Sequence, residues 1–321
     1  MFNKLFTIAK NTFTETLRQP IYAVIITSAL FMFILSPSIT MYTLDEDVKL
    51  LREIGLSTLF LSGLFIAIFS ASGAITEEIE SKTITTVLSK PVSRPLFIIG
   101  KFLGVATAVA LAHYLLTITM VMVIRHGVLE SAGDTHDWPV IATAAGVLIA
   151  ALLLTAFLNY TYDWSFPATA MRLTTIFATI GIIFLCFIDK DWQFNPENNG
   201  FSTFDIYGSI LLLFAVLILV ALAVMFSTRF NVVLTLTFCV GAFLMGLISD
   251  YVFGRFAETH FWAKIGHILV PSLQVFWISD AIYEGSVITF DYILLSASYA
   301  LLYTAGILAL AIALFQRRQV G

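Results

Sequence analysis

The residues able to do chemistry in this chain are few, and their surroundings limit what they can do. His126, Glu130, Asp134, His136 and Asp137 crowd one short polar segment. Imidazole and carboxylate donors of this kind gather hard or borderline cations. Their spacing matches no metal motif, so they are expected to be solvated loop residues, as are His260 and His267. His113 is the one ionisable side chain well inside an apolar run, and it reads as a helix–helix hydrogen-bonding residue. Hydrolytic or acyl-transfer chemistry would need a nucleophile beside a base at a span edge. No serine here has such a setting. The Gly100-Lys101 pair is followed by Phe102, and Pro95 stands where a phosphate-binding loop needs its first glycine. Any nucleotide must therefore be bound by another chain.

The elements that position these residues are dictated by composition. The chain has 321 residues, of which 59% are hydrophobic and only 12% charged, with a mean hydropathy of +0.93. A soluble domain carries about 25% charged residues. Half that share, with long apolar runs, means a polytopic all-α membrane protein. No basic stripe offers a footprint for nucleic acid. Cys186 and Cys239 both lie inside apolar runs and read as packed core or lipid-facing thiols, a disulfide between them requiring that those two spans touch. No cleavable leader is expected at the N-terminus, and the first span would act as an uncleaved insertion signal.

Phe2, Phe6, Ala9, Phe13 and Leu17 share one side of an N-terminal segment whose other sides hold Lys4, Lys10 and Arg18. That pattern predicts an amphipathic interfacial helix over residues 1–20. Apolar runs then predict spans at 21–41, 56–75, 102–124, 140–158, 172–188, 206–226, 231–248 and 292–315, each near the length a bilayer core requires. Residues 45–53 and 159–171 read as connectors. Between 250 and 291 aromatic and charged residues alternate around Pro271, which predicts short interfacial or re-entrant helices. The expected domain is a single permease domain over 1–321, with about eight transmembrane helices.

Eleven of the seventeen Lys and Arg fall on the N-terminal side of this arrangement. The positive-inside rule then puts both termini in the cytoplasm, and with them the one long polar interruption, residues 75–104. In that stretch Ile75, Ile79, Val87 and Leu88 recur near helical spacing, against Glu77, Glu78, Glu80 and Lys82. Pro91 and Pro95 break the backbone, and Ser93 can cap a following helix. A short charged helix tied between two spans is a place where a soluble partner can push. The spans hold no Asp or Glu near their centres, unlike carriers driven by protons or sodium. An energy source outside the spans follows.

The run from Glu78 through Lys90-Pro91 and Arg94 to Gly100-Lys101 resembles the signature of bacterial ATP-binding-cassette (ABC) transporter permeases of the second exporter type. Phe226 to Asn231, Val270 to Gly285 and the closing Phe315-Gln316-Arg317-Arg318 resemble further segments of such permeases. Gln319, Val320 and the 125–138 loop depart from that pattern. Six spans are usual in that family, and the extra pair here falls between Arg172 and Ile248.

The resemblance implies a non-enzymatic half-transporter in the cell inner membrane. It would pair with a second permease copy or a paralogue, and with a dimer of cytoplasmic ABC ATPase subunits carrying ATP and magnesium. The 76–100 segment would be the coupling helix, with Glu77, Glu78, Glu80, Thr83, Leu88, Lys90, Pro91 and Arg94 as its contact residues. Lys90, Arg94 and Lys101 serve equally as anchors to lipid phosphates. Gly100 and Gly104 form a small-xxx-small pair for close packing, either within the protomer or across a dimer. Two other readings stand beside an exporter: an ABC-like assembly doing mechanical work on an envelope partner or the bilayer, and an intramembrane enzyme centred on His113.

Overall fold

The computed structural model describes residues 2–41, 47–80, 93–129, 134–278 and 287–316, apart from the side chains of Glu77, Ile79 and Glu80. The described residues form helices and short turns: α1 (Phe2–Arg18), α2 (Pro20–Thr40), α3 (Asp47–Glu80), α4 (Arg94–His126), α5 (Trp138–Tyr162), α6 (Phe166–Leu185), α7 (Thr203–Ser227), α8 (Val232–Leu247), α9 (Ser249–Val252), α10 (Phe261–Leu269) and α11 (Phe290–Gln316). Among them α2 to α7 and α11 are long and apolar enough to cross a membrane, seven in all. An eighth crossing exists if α8 and the residues through Phe256 are one span, bent by 64°. The protein is an all-α polytopic membrane protein, as its composition requires.

Two compact units interleave in sequence. The first holds Met1–Thr16, Leu64–Val109 and Ile210–Gly321, and the second Leu17–Gly63 and Ala110–Ser209. In the second unit α5 and α6 form an antiparallel hairpin closed by only Asp163 to Ser165. Asp163 adopts the left-handed conformation (φ 55°) that ends α5, and Pro167 lies in the first turn of α6. The connector expected over 159–171 is thus mostly helix. Gly181 lets the pair approach: a Cβ there would lie 2.7 Å from Thr143 Cγ2.

The connector expected over 45–53 is also helical, because α3 starts at Asp47. Its Arg52 finds a partner elsewhere in the same unit. Arg52 Nε donates to Asp205 Oδ1 at 2.8 Å, with the guanidinium over the Phe204 ring. At the end of α4 Arg125 is held harder still. It donates to Asp137 Oδ2 (3.1 Å), the Leu185 carbonyl (2.7 Å) and the Ile188 carbonyl (2.9 Å). It also lies over the Phe201 ring. Asp137 in turn caps α5 by accepting from Val140 N. One buried cation therefore ties together the ends of α4 and α6 and the start of α5.

In the first unit α8 stops where Gly246 meets the chain beyond α10. Leu273 N donates to the Gly246 carbonyl at 3.0 Å, and a Cβ on Gly246 would sit 2.8 Å from the Pro271 oxygen. Short helices and turns follow over residues 249–276. Tyr303 and Tyr299 of α11 fix them, through the Leu269 carbonyl (2.6 Å) and Ser272 N (2.9 Å).

Candidate functional site

The polar interruption singled out in the sequence is described on both flanks. Residues 81–92, with Thr83, Leu88, Lys90 and Pro91, lie outside the described residues. On the first flank residues 76–80 are not a separate amphipathic helix. They continue α3, which carries the second span directly into the segment. On the second flank α4 begins at Arg94, and Phe97 N bonds the Ser93 carbonyl.

Both flanks are braced inside the first unit. Glu78 Oε1 accepts from Lys101 Nζ at 2.6 Å, tying the end of α3 to the first turns of α4. The Lys101 side chain is only 4% exposed and its ammonium lies over the Phe97 ring. The pair thus faces inward, which neither a solvated carboxylate nor a lipid-anchoring lysine would do. Thr76 Oγ1 lies 3.3 Å from the Ser227 and Phe230 carbonyls, and Ser72 Oγ lies 3.3 Å from Ser227 Oγ. These contacts seat the turn between α7 and α8 on α3.

Two arginines donate to the last described carbonyls of α11. Arg94 donates to the Gln316 carbonyl at 2.6 Å and to that of Phe315 at 3.3 Å. Arg229, from the α7–α8 turn, donates to the Leu314 carbonyl at 2.5 Å. The Phe97 and Phe315 rings stack at 5.7 Å. Positive charge at a helix C-terminus also complements its dipole. Arg94, expected as a contact residue, therefore binds its own chain.

Gly100 and Gly104 decide where α1 sits. A Cβ on Gly100 would fall 2.7 Å from Ile8 Cγ2; one on Gly104 would fall 2.5 Å from Thr12 Cβ and 2.7 Å from the Ala9 carbonyl. The small-xxx-small pair packs within the protomer, against α1. Thr12 is buried there, while Phe2 and Phe6 remain exposed. Glu77 and Glu80 are helical in backbone, at the end of α3. The sequence reading missed Thr76, Arg229 and Phe315 as parts of this arrangement. The position of Arg229 in the Ser227–Phe230 turn was the available signal.

The second unit holds a cavity of about 460 Å³ between α2, α4, α5 and α6, lined by Tyr22, Ile26, Leu30, Leu115, Leu152 and Met171 among others. Among the described residues no charged side chain lines it, so its described lining offers room to an apolar group. His113 also belongs to this unit. Its Nε2 meets the Ser209 carbonyl at 2.9 Å and Ser209 Oγ at 3.0 Å, joining α4 to α7. Thr117 Oγ1 completes the set, 2.6 Å from Ser209 Oγ.

A comparison with family models matches residues 5–188 to the ABC-2 family transporter protein family. A comparison with curated proteins finds no match.

Proposed function

Because the chain belongs to the ABC-2 transporter family and is the multi-pass membrane component of such a transporter, we propose that it is an exporter permease of the inner membrane, driven through its 76–100 segment. Membership of the family carries association with an ABC ATPase subunit and a transport role that is normally non-catalytic. In our reading the ATPase is a separate cytoplasmic dimer carrying ATP and magnesium. The permease pairs with a second copy or a paralogue, and both termini are cytoplasmic.

One observation carries the coupling role. The two ends of the 81–92 segment leave from helices clamped to each other by Glu78 and Lys101. Those helices are further clamped to α1, to the α7–α8 turn and to the end of α11. A load applied between residue 80 and residue 93 would therefore reach α1, the α7–α8 turn and the end of α11 through direct contacts. A flexible loop would absorb it. Closure of an ATP-bound dimer against this segment would move the spans as a group, in the way hinge and rigid-body transitions work.

Purification from native membranes in mild detergent tests this. A stoichiometric ATP-binding subunit that co-purifies and hydrolyses ATP supports the proposal. A chain that emerges alone, from membranes whose other ABC complexes survive, would overturn it.

A further inference from the structure

We propose that His126 and His136 form a two-nitrogen binding site for a borderline divalent transition cation such as zinc, at the end of α4 farthest from the coupling segment. His136 Nδ1 lies 3.3 Å from His126 Nε2. Two imidazole ligands on a tetrahedral ion at about 2.0–2.1 Å stand about 3.3–3.4 Å apart, so the two nitrogens are already at the spacing one ion imposes.

The protonation pattern fits as well. His126 Nδ1 lies 3.1 Å from the Gly127 carbonyl. A carbonyl only accepts, so Nδ1 carries the proton and Nε2 presents its lone pair toward His136. A ring N–H held by a backbone carbonyl is the arrangement that orients histidine ligands in metal sites. Without a cation, His136 Nδ1–H donates to His126 Nε2. With one, the His136 proton moves to its own Nε2, and both facing nitrogens become ligands. The remaining coordination positions are filled by solvent.

The scaffold beneath the pair is rigid. The residues next to each histidine, Arg125 and Asp137, are joined by their own ion pair at 3.1 Å, with side chains 2% and 3% exposed. Trp138 packs edge-on to the His136 ring at 5.7 Å, and Trp138 N bonds the His136 carbonyl. The two backbones are therefore held in place before any ion arrives. Imidazole pairs suit zinc, copper and nickel rather than magnesium or calcium. A bound ion would clip the end of α4 to the start of α5.

The test uses the full chain, purified with an affinity tag lacking histidine and stripped of metal. Zinc is titrated against a chromogenic chelator while thermal unfolding is followed. The expected result is one equivalent bound and a melting temperature raised by saturating zinc. His126→Ala and His136→Ala should each weaken binding at least 10-fold and remove the upshift. A variant with both His260→Ala and His267→Ala should bind as the unmutated chain does. A second measurement needs no mutation: zinc should protect His126 and His136, but not His260, from carbethoxylation read by peptide mass. Absence of saturable zinc binding, binding unchanged in the two single variants, or equal carbethoxylation with and without zinc would each overturn the proposal.

Discussion

Lys101 Nζ and Glu78 Oε1 are 2.6 Å apart, which joins the end of α3 to the start of α4 across thirteen intervening residues that are the candidate point of attack for a partner. Among the described residues at the proposed coupling segment, this ion pair joins the two span ends directly. Breaking a buried pair leaves an uncompensated charge and costs about 3–5 kcal/mol. Glu78 is partly exposed, with 22% of its side chain accessible, so the lower part of that range applies. Glu78→Gln or Lys101→Met alone should destabilise the detergent-solubilised protein and lower transport-linked ATP hydrolysis. The double variant should recover much of the lost stability, and a thermal-unfolding double-mutant cycle reads the difference.

Gly104 bears on α1 in the same direct way. Any side chain there collides with Thr12 and the Ala9 backbone. Gly104→Val should displace α1 at a cost of about 1–3 kcal/mol, the usual range for overpacking. A cysteine at Thr12, buried in the native chain, would become reactive to a water-soluble maleimide. Gly146→Ala is the control, because among the described residues nothing beyond the local backbone of its own helix lies within 4 Å of a Cβ at that position.

Arg125 is the latch of the second unit. Arg125→Ala leaves the buried Asp137 carboxylate without its charged partner and removes a donor from the Leu185 and Ile188 carbonyls, with an expected loss of about 3–5 kcal/mol. Limited proteolysis between residues 186 and 201 should accelerate. Arg125→Lys should restore little, since one ammonium cannot reproduce the fork that reaches three acceptors.

His113 tests the enzymatic alternative. Its hydrogen bonds to Ser209 define a packing role between α4 and α7. Hydrogen bonds between membrane helices average about 0.6 kcal/mol and reach about 1.7. His113→Phe should therefore cost no more than about 2 kcal/mol in thermal stability and leave ATP-driven turnover close to the unmutated rate. Abolished activity in a folded, partner-bound variant would instead return His113 to the reactive residues.

Much of this fold was legible in the sequence, because lipid imposes long apolar runs and every predicted span coincides with a helix. What escaped were polar residues whose partners are distant in the chain. Residues 47–53 look like a connector until Arg52 meets Asp205, 153 positions away. Glu78 and Lys101 each read as surface charges because local periodicity carries no record of a partner across a turn. The Gly100 and Gly104 spacing did announce a close approach, but only the structure identifies α1 as the neighbour. His126 and His136 were visible as a cluster with no motif, because their juxtaposition depends on the Arg125–Asp137 pair beside them.

The central claim is that the segment between α3 and α4 receives the push of an ATP-binding subunit. A photo-crosslinking residue placed at Thr83 or Leu88 in the full chain, irradiated in native membranes, tests it most directly. The account predicts a covalent adduct with a cytoplasmic ATP-binding protein, lost when Glu77 and Glu80 are both replaced by Lys. Adducts confined to lipid, to the chain itself or to proteins on the opposite membrane face would contradict it.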